Sequence, residues 1–428
     1  MTLSVLAGVF IATILLGFPV AWCLGLAASA VIFSGAFPLP PAWLAQQLYR
    51  GLDSISLAAI PLFLFAGGVM NEGGLTRRII AVAEGCFGWM RGGLGPVNVA
   101  TSMLYGGISG SATADTGAVG AIMIPAMAKR GYPRSFAAAV TAASGTLGII
   151  IPPSVVMIMY GVITNTSIGG LFVAGIIPGL LLGIVMMIAA WYIGVREGYP
   201  KSERRFSLRA TLCDIWHALP ALLMPVIVLG SLMGGFATVT EAAFVSVLWA
   251  LAVSFVVYRE LTWRALLSVA FETIRTTGAI MIVMAVAVPF AWLLTVTQVP
   301  RDVAMFMLGT VSSPWLMTLV ILALLLFVGL WLDTGPALII LAPIIHPIAL
   351  KMGMDPFQIG LIFTLGLGIG LFTPPVGTNL FVVCNVGKVN LLELTRAIVP
   401  FWLCALLVLV AIAFLPGLTA WLPRQLGY

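Results

Sequence analysis

The sequence predicts an all-α, polytopic membrane protein built from two inverted-topology repeats, and three observations carry that prediction. Hydrophobic residues make up 61% of the 428 and charged residues only 8%, against about 25% charge in a soluble domain. Apolar stretches near the roughly 20 residues a spanning helix needs recur throughout, for example at 3–33, 168–194, 218–235, 237–257 and 397–418. Glycine, proline and aspartate motifs of the first half also return in the same order in the second. With a mean hydropathy of +1.15, water is not the solvent for most of this surface. About eight full-length spans are expected, together with shorter, broken segments.

From the N-terminus, Leu3 to Phe33 lacks a basic leader and is too long for a signal core, so it reads as a retained first span. The five cysteines (Cys23, Cys86, Cys213, Cys384, Cys404) stand alone, and so do His217 and His346. Neither a disulfide framework nor a zinc site is suggested. The formal net charge of +6 concentrates at mid-chain, where Arg196, Lys201, Arg204, Arg205 and Arg209 fall in one polar loop, 196–212. Clustered Lys and Arg in a short loop mark the cytoplasmic side. Nothing in the pattern suggests nucleic-acid binding.

That loop separates a first repeat, 1–195, from a second, 213–428. Asp115-Thr116-Gly117 matches Asp333-Thr334-Gly335 and Pro125 matches Pro343, both at an offset of 218 (333 − 115). Gly131 and Gly353, Gly148 and Gly370, and Pro152-Pro153 and Pro374-Pro375 match at 222 (353 − 131), which implies a four-residue insertion after Pro343. Upstream, Ile60-Pro61-Leu62-Phe63 pairs with Val288-Pro289-Phe290. Arg77, Arg78, Arg91, Lys129, Arg130 and Arg134 flank the first Asp-Thr-Gly, but only Arg301 and Lys351, with Asp302 and Asp355, flank the second. The two copies are therefore expected to lie in opposite orientations.

Each repeat is expected to hold a re-entrant hairpin (near 95–130 and 302–350) followed by a broken helix (near 133–165 and 355–386). The run Gly106-Gly107-Ile108-Ser109-Gly110-Ser111-Ala112 reads as the non-helical tip of the first hairpin, between arms at 95–105 and 116–128. Irregular backbone at membrane depth is tolerated only where it is buried in protein or lines a cavity. Proline frees a carbonyl upstream of itself, so these four breaks offer carbonyls to a cation and N–H groups to an anion.

Asp115 and Asp333 are the most informative residues, because an intramembrane acid is costly enough to mark function. Either can also cap its hairpin's second arm. Ser109, Ser111 and Thr113 line the first tip, Ser154 follows the first proline pair, and Thr373, Thr378 and Asn379 surround the second. Their hydroxyls suit Na+ or a substrate carboxylate, although Ser and Thr also satisfy backbone locally. Glu241, after Thr238, reads as helix capping, and the aromatics as an interfacial belt. The phosphate-binding loop of ATPases, the H-E-x-x-H metalloprotease motif and a Ser–His–Asp set are all missing. The chain is not expected to be an enzyme.

Gly17-Phe18-Pro19-Val20-Ala21, Ile60-Pro61-Leu62-Phe63, Gly107-Ile108-Ser109-Gly110-Ser111, Gly148 to Ser154, Thr238-Val239-Thr240-Glu241 and Thr373-Pro374-Pro375 together resemble the large membrane subunit of the tripartite ATP-independent periplasmic (TRAP) transporters. The resemblance spans nearly the whole chain. It implies an elevator mechanism at the bacterial inner membrane, in which a transport domain holding both hairpins moves against a scaffold in the lipid. It also implies a small four-helix membrane partner (Q type), a periplasmic substrate-binding protein (P type), a small organic acid as substrate and Na+ as coupling ion. On this resemblance, Ser109, Ser111, Asp115, Ser154, Asp333 and Thr378 are expected around the substrate. Ser109, Gly148, Thr334, Gly335, Gly370 and Thr373 are expected around Na+. One departure is Gly366, where many family members carry Asn. A stand-alone carboxylate symporter driven by Na+ or H+ is the alternative.

Overall fold

In a computed structural model, residues 2–35, 37–202, 207–299, 301–303, 305, 313–374 and 376–428 are described, Pro314 by its backbone alone. Arg204, Arg205, Pro375 and most of the lead into the second hairpin (304 and 306–312) lie outside them. The described residues form α-helices with short 3-10 and π turns, and seven helical segments are long and apolar enough to cross a membrane. These are 55–72, 168–196, 208–233, 239–257, 263–296, 334–351 and 391–414.

The expected span from Leu3 to Phe33 is instead two short helices, α1 (Thr2–Leu15) and α2 (Val20–Phe33), packed on each other. Gly17 breaks the run at φ +79°, with its N–H on Ile14 and that of Phe18 on Thr13. This is the Schellman ending that a left-handed glycine permits, and Pro19 then opens α2. Hydrophobicity alone does not reveal the turn.

After α3 (Pro41–Arg50) and α4 (Ala59–Glu72), α5 (Leu75–Phe87) precedes the first hairpin, α6 (Leu94–Ser109) and α7 (Ala112–Lys129). Helix α6 continues through Gly106 and Gly107, so the expected open run contracts to a tip at Gly110 and Ser111. Helicity survives there because packing demands the small residues: a Cβ on Gly106 would lie 2.8 Å from Gly148 Cα. The first broken helix is α8 (Arg134–Ser144), a 3-10 turn over Gly145–Ile149, and α9 (Val155–Thr164). Long helices α10 (Ile168–Arg196), α11 (Leu208–Met233), α12 (Val239–Ala252) and α13 (Trp263–Val296) follow. The second hairpin is α14 (Pro314–Gly329) and α15 (Thr334–Lys351), its broken helix α16 (Pro356–Gly370) and α17 (Thr378–Gly387), and α18 (Leu391–Phe414) and α19 (Gly417–Gln425) close the chain.

The helix ends correct the register read between the halves. Helices α7 and α15 both have 18 residues and keep one offset from start (334 − 112 = 222) to end (351 − 129 = 222). Each ends in the same Schellman turn, at Gly131 (φ +87°) and Gly353 (φ +82°). The four-residue insertion therefore does not exist, and Pro125 corresponds to Pro347 rather than Pro343. Position 333 corresponds to Ser111, and Asp115 to Ala337. The two Asp-Thr-Gly triplets sit one helical turn apart in their hairpins. The Pro61–Pro289 pairing also fails, since Pro61 opens α4 whereas Pro289 lies inside the 34-residue α13.

The halves interlock. Helix α17 packs on α7, and α15 packs on α9. Asn379 Nδ2 donates to Ala142 O at 3.1 Å, and the Tyr160 hydroxyl meets His346 Nδ1 at 2.6 Å. The mid-chain loop is strapped to the first hairpin's base. Tyr132 donates to Pro200 O at 2.7 Å, Ser202 N–H donates to Gly88 O at 2.9 Å, and Arg130 pairs with Glu84 at 2.6 Å. Glu241 and Thr238 form the expected capping box.

Backbone-to-backbone contact at the breaks gives a stability prediction. A Cβ on Gly370 would lie 2.1 Å from Gly329 O, whereas Gly417 faces open space. Gly370→Ala should cost about 1–3 kcal/mol, the usual range for overpacking, and lower the melting temperature in detergent. Gly417→Ala should leave it unchanged.

Candidate substrate and cation site

The first hairpin's tip is organised by Ser111, which caps α7 by accepting from Ala114 N–H at 3.5 Å. Asp115 therefore falls in the first turn and is not the cap. It is fully buried, at 0% exposure. The Ser109 hydroxyl donates to its Oδ1, while Oδ2 has no hydrogen-bond partner. A Cβ on Gly148 would lie 2.0 Å from that oxygen, so the glycine leaves it its room. A buried carboxylate oxygen without a partner is costly.

Asp333 behaves differently. It is the N-cap of α15, its Oδ1 accepting from Thr334 N–H at 2.8 Å, and it is exposed to a cavity. That cavity, about 300 Å³, lies between the two tips and is lined by Ser111, Thr113, Asp333, Thr334 and Gly335 together with Val155, Met159, Leu371 and Thr276. A second cavity of about 540 Å³ adjoins it through Leu64, Ser111, Thr113 and Thr276 and contains Ser109. The structure thus gathers Ser109, Ser111, Asp333, Thr334 and Gly335 around connected space.

Other expected residues face elsewhere. Ser154 is buried as the N-cap of α9, donating to Ile149 O at 2.6 Å and accepting from Met157 N–H at 3.3 Å. The Thr373 hydroxyl donates to Ile369 O at 2.5 Å and accepts from Trp402 Nε1 at 3.0 Å. Gly370 and Thr378 line a cavity of about 40 Å³ that also touches Asp333. Thr378 Oγ1 and Asn379 Oδ1 are buried there or beside it without partners. Gly366 is a packing glycine, since a Cβ would come within 3.3 Å of Leu325.

Thr276, Thr273, Glu272, Asn71 and Tyr105 line the second cavity and escaped the sequence reading. A signal was available: Glu272, Thr273, Arg275, Thr276 and Thr277 interrupt an otherwise apolar helix. Among the described residues no cluster of three or more His, Cys, Asp or Glu forms. The available donors are hydroxyls, carbonyls and single carboxylates, which are hard oxygens suited to an alkali cation. Among the described residues no Lys, Arg or His lines either of these two connected cavities.

Comparison with known proteins agrees with this architecture. Residues 7–418 match the family described as the tripartite ATP-independent periplasmic transporter, DctM component. The chain is 37% identical to the 2,3-diketo-L-gulonate TRAP transporter large permease protein YiaN of Escherichia coli, with 98% of each chain covered. It is 39% identical both to the C4-dicarboxylate large permease DctM of Pseudomonas aeruginosa and to the sialic acid large permease SiaM of Vibrio cholerae, with 90% of each chain covered. The solved structure of the Alcanivorax borkumensis YdaH transporter shares the fold, with a TM-score of 0.66 at 15% identity over 89% of this chain and 90% of that one. The chain is accordingly a multi-pass protein of the bacterial inner membrane, a transporter permease rather than an enzyme, and it belongs to the DctM family of TRAP transporter large permeases.

Proposed function

We propose that this chain is the transport subunit of a Na+-coupled importer of small organic anions, working by an elevator motion of the two interlocked hairpins and broken helices. A periplasmic binding protein delivers the substrate, and a small four-helix membrane subunit completes the scaffold. The observation that carries this reading is the cavity's charge. It holds the Asp333 carboxylate and no base among its described lining. An anion entering a low-dielectric site without a fixed cation pays a large desolvation cost, so a mobile cation has to bind with it. The N-termini of α7 and α15 meet at this cavity and contribute only partial positive charge. Unpartnered buried oxygens of Asp115 and Thr378 supply places for the cation. Ser109 and Gly148 adjoin the first, and Gly370 and Asp333 line the small cavity that holds the second. The substrates named for the relatives are organic acids, and a cavity of about 300 Å³ admits a molecule of that class.

Two measurements test the proposal. Uptake of labelled organic acids into proteoliposomes holding this chain and its small partner should require both the binding protein and a Na+ gradient. It should fall on the order of a hundredfold in Asp115→Ala, because removing one member of a buried charge pair costs about 3 kcal/mol or more. Uptake without the binding protein would indicate the stand-alone symporter, and uptake driven only by a pH gradient would make the aspartates proton carriers. Separately, Asp333→Cys should react with hydrophilic thiol reagents, whereas Asp115→Cys should be protected about tenfold or more, in line with the differing burial of the two sites.

A further inference from the structure

The second cavity is a passage with a direction. Its inner end shares Leu64 and Thr276 with the substrate cavity, and its outer end is bounded by Asn71, Val269 and Glu272. Helices α4 and α13 form one wall and run antiparallel there, with Gly68 pressed on Val269. Beyond this end, Arg78 pairs with Glu260 at 2.6 Å and stacks on Tyr258, on the side that carries Arg77, Arg91 and Lys129. By the positive-inside rule that side is the cytoplasm. The cavity is therefore the route between the substrate site and the cytoplasm in this conformation.

Glu272 is the only acid or base lining this passage among the described residues. It is exposed, and among the described residues no ion pair engages it. Arg275, one turn along α13, lines neither cavity. We infer that Glu272 makes the cytoplasmic vestibule cation-selective, so that it admits and concentrates small cations while opposing the return of a released organic anion. A carboxylate in a cleft with low-dielectric walls focuses its field on whatever passes. The residue acts on the rate of anion re-binding from inside and leaves the equilibrium set by the ion gradient untouched. Ser111, Asp115 and Asp333 bind at the tips; Glu272 sorts by charge on the way out.

The inference rests on the organic-anion reading for its purpose, but the field itself can be measured with no substrate. Ala114 is exposed and lines the same cavity. In the full-length chain in proteoliposomes, Ala114→Cys would be titrated with trimethylammonioethyl, sulfonatoethyl and neutral methanethiosulfonates, relative to the same background without that cysteine. The cationic reagent should react about tenfold faster than the anionic one after correction for their rates with a free thiol, as expected for a carboxylate lining the same cleft. Glu272→Gln should lower the corrected ratio severalfold without changing the neutral reagent's rate, the remainder being due to Asp115 and Asp333, and Glu272→Asp should preserve it. Arg275→Gln should not lower it. The preference should also shrink in 1 M salt, where the Debye length is about 3 Å. A ratio unchanged in Glu272→Gln, or one lost equally in Glu272→Asp, overturns the inference. Loss of uptake with an intact ratio would count against the transport proposal alone.

Discussion

The architecture depends on the exchange of partners between the halves. Each hairpin's second arm lies against the terminal segment of the other half's broken helix, α7 on α17 and α15 on α9. Backbone ends exposed by one break are thereby covered by the opposite repeat, as the membrane interior demands of irregular backbone. Small residues make the approach possible. Gly106 against Gly148 and Gly370 against Gly329 bring main chains together where a methyl group would intrude. Asn379, reaching across to Ala142, and Tyr160, joined to His346, add polar links between the halves. The cavity between the two tips is the space that this interlock leaves.

Within that frame the repeats have diverged. The cap position holds Ser111 in one hairpin and Asp333 in the other, while the buried acid Asp115 faces Ala337 across the symmetry. One carboxylate is thus enclosed with a single hydroxyl partner, and the other looks into the cavity. Such a pair does not do the same work twice. The enclosed acid keeps one oxygen without a hydrogen-bond partner, whereas the open one caps its helix and lines the cavity. Among the described residues no base lines the cavity beside them.

Much of this was legible in the residues. Broken helices at Pro152-Pro153 and near Pro374, hairpins beside the Asp-Thr-Gly triplets, and the capping role of Glu241 all follow from local chemistry that acts within a few positions. The matching triplets suggest one register between the halves, whereas the helix caps fix another. Neither the turn at Gly17 nor the helix through Gly106 follows from the apolar pattern. Gly17 turns the chain by its own φ, but Gly106 stays helical because Gly148, remote in sequence, presses on it. The lining contributed by α4 and α13 was invisible for the same reason. Which face of a long apolar helix borders a cavity is decided by its neighbours, and Glu272 and Thr276 signal it only in retrospect.

The most direct test of the central claim asks whether Na+ alone completes the site. The melting temperature of the purified chain would be followed against NaCl, with choline chloride holding ionic strength constant and with KCl as a second control. Saturating binding to the folded state alone stabilises by about 2.7 kcal/mol at a hundred times the dissociation constant. The account predicts a saturable, Na+-specific rise that is reduced in Asp115→Asn and in Thr378→Val. Equal melting in Na+, K+ and choline would contradict it.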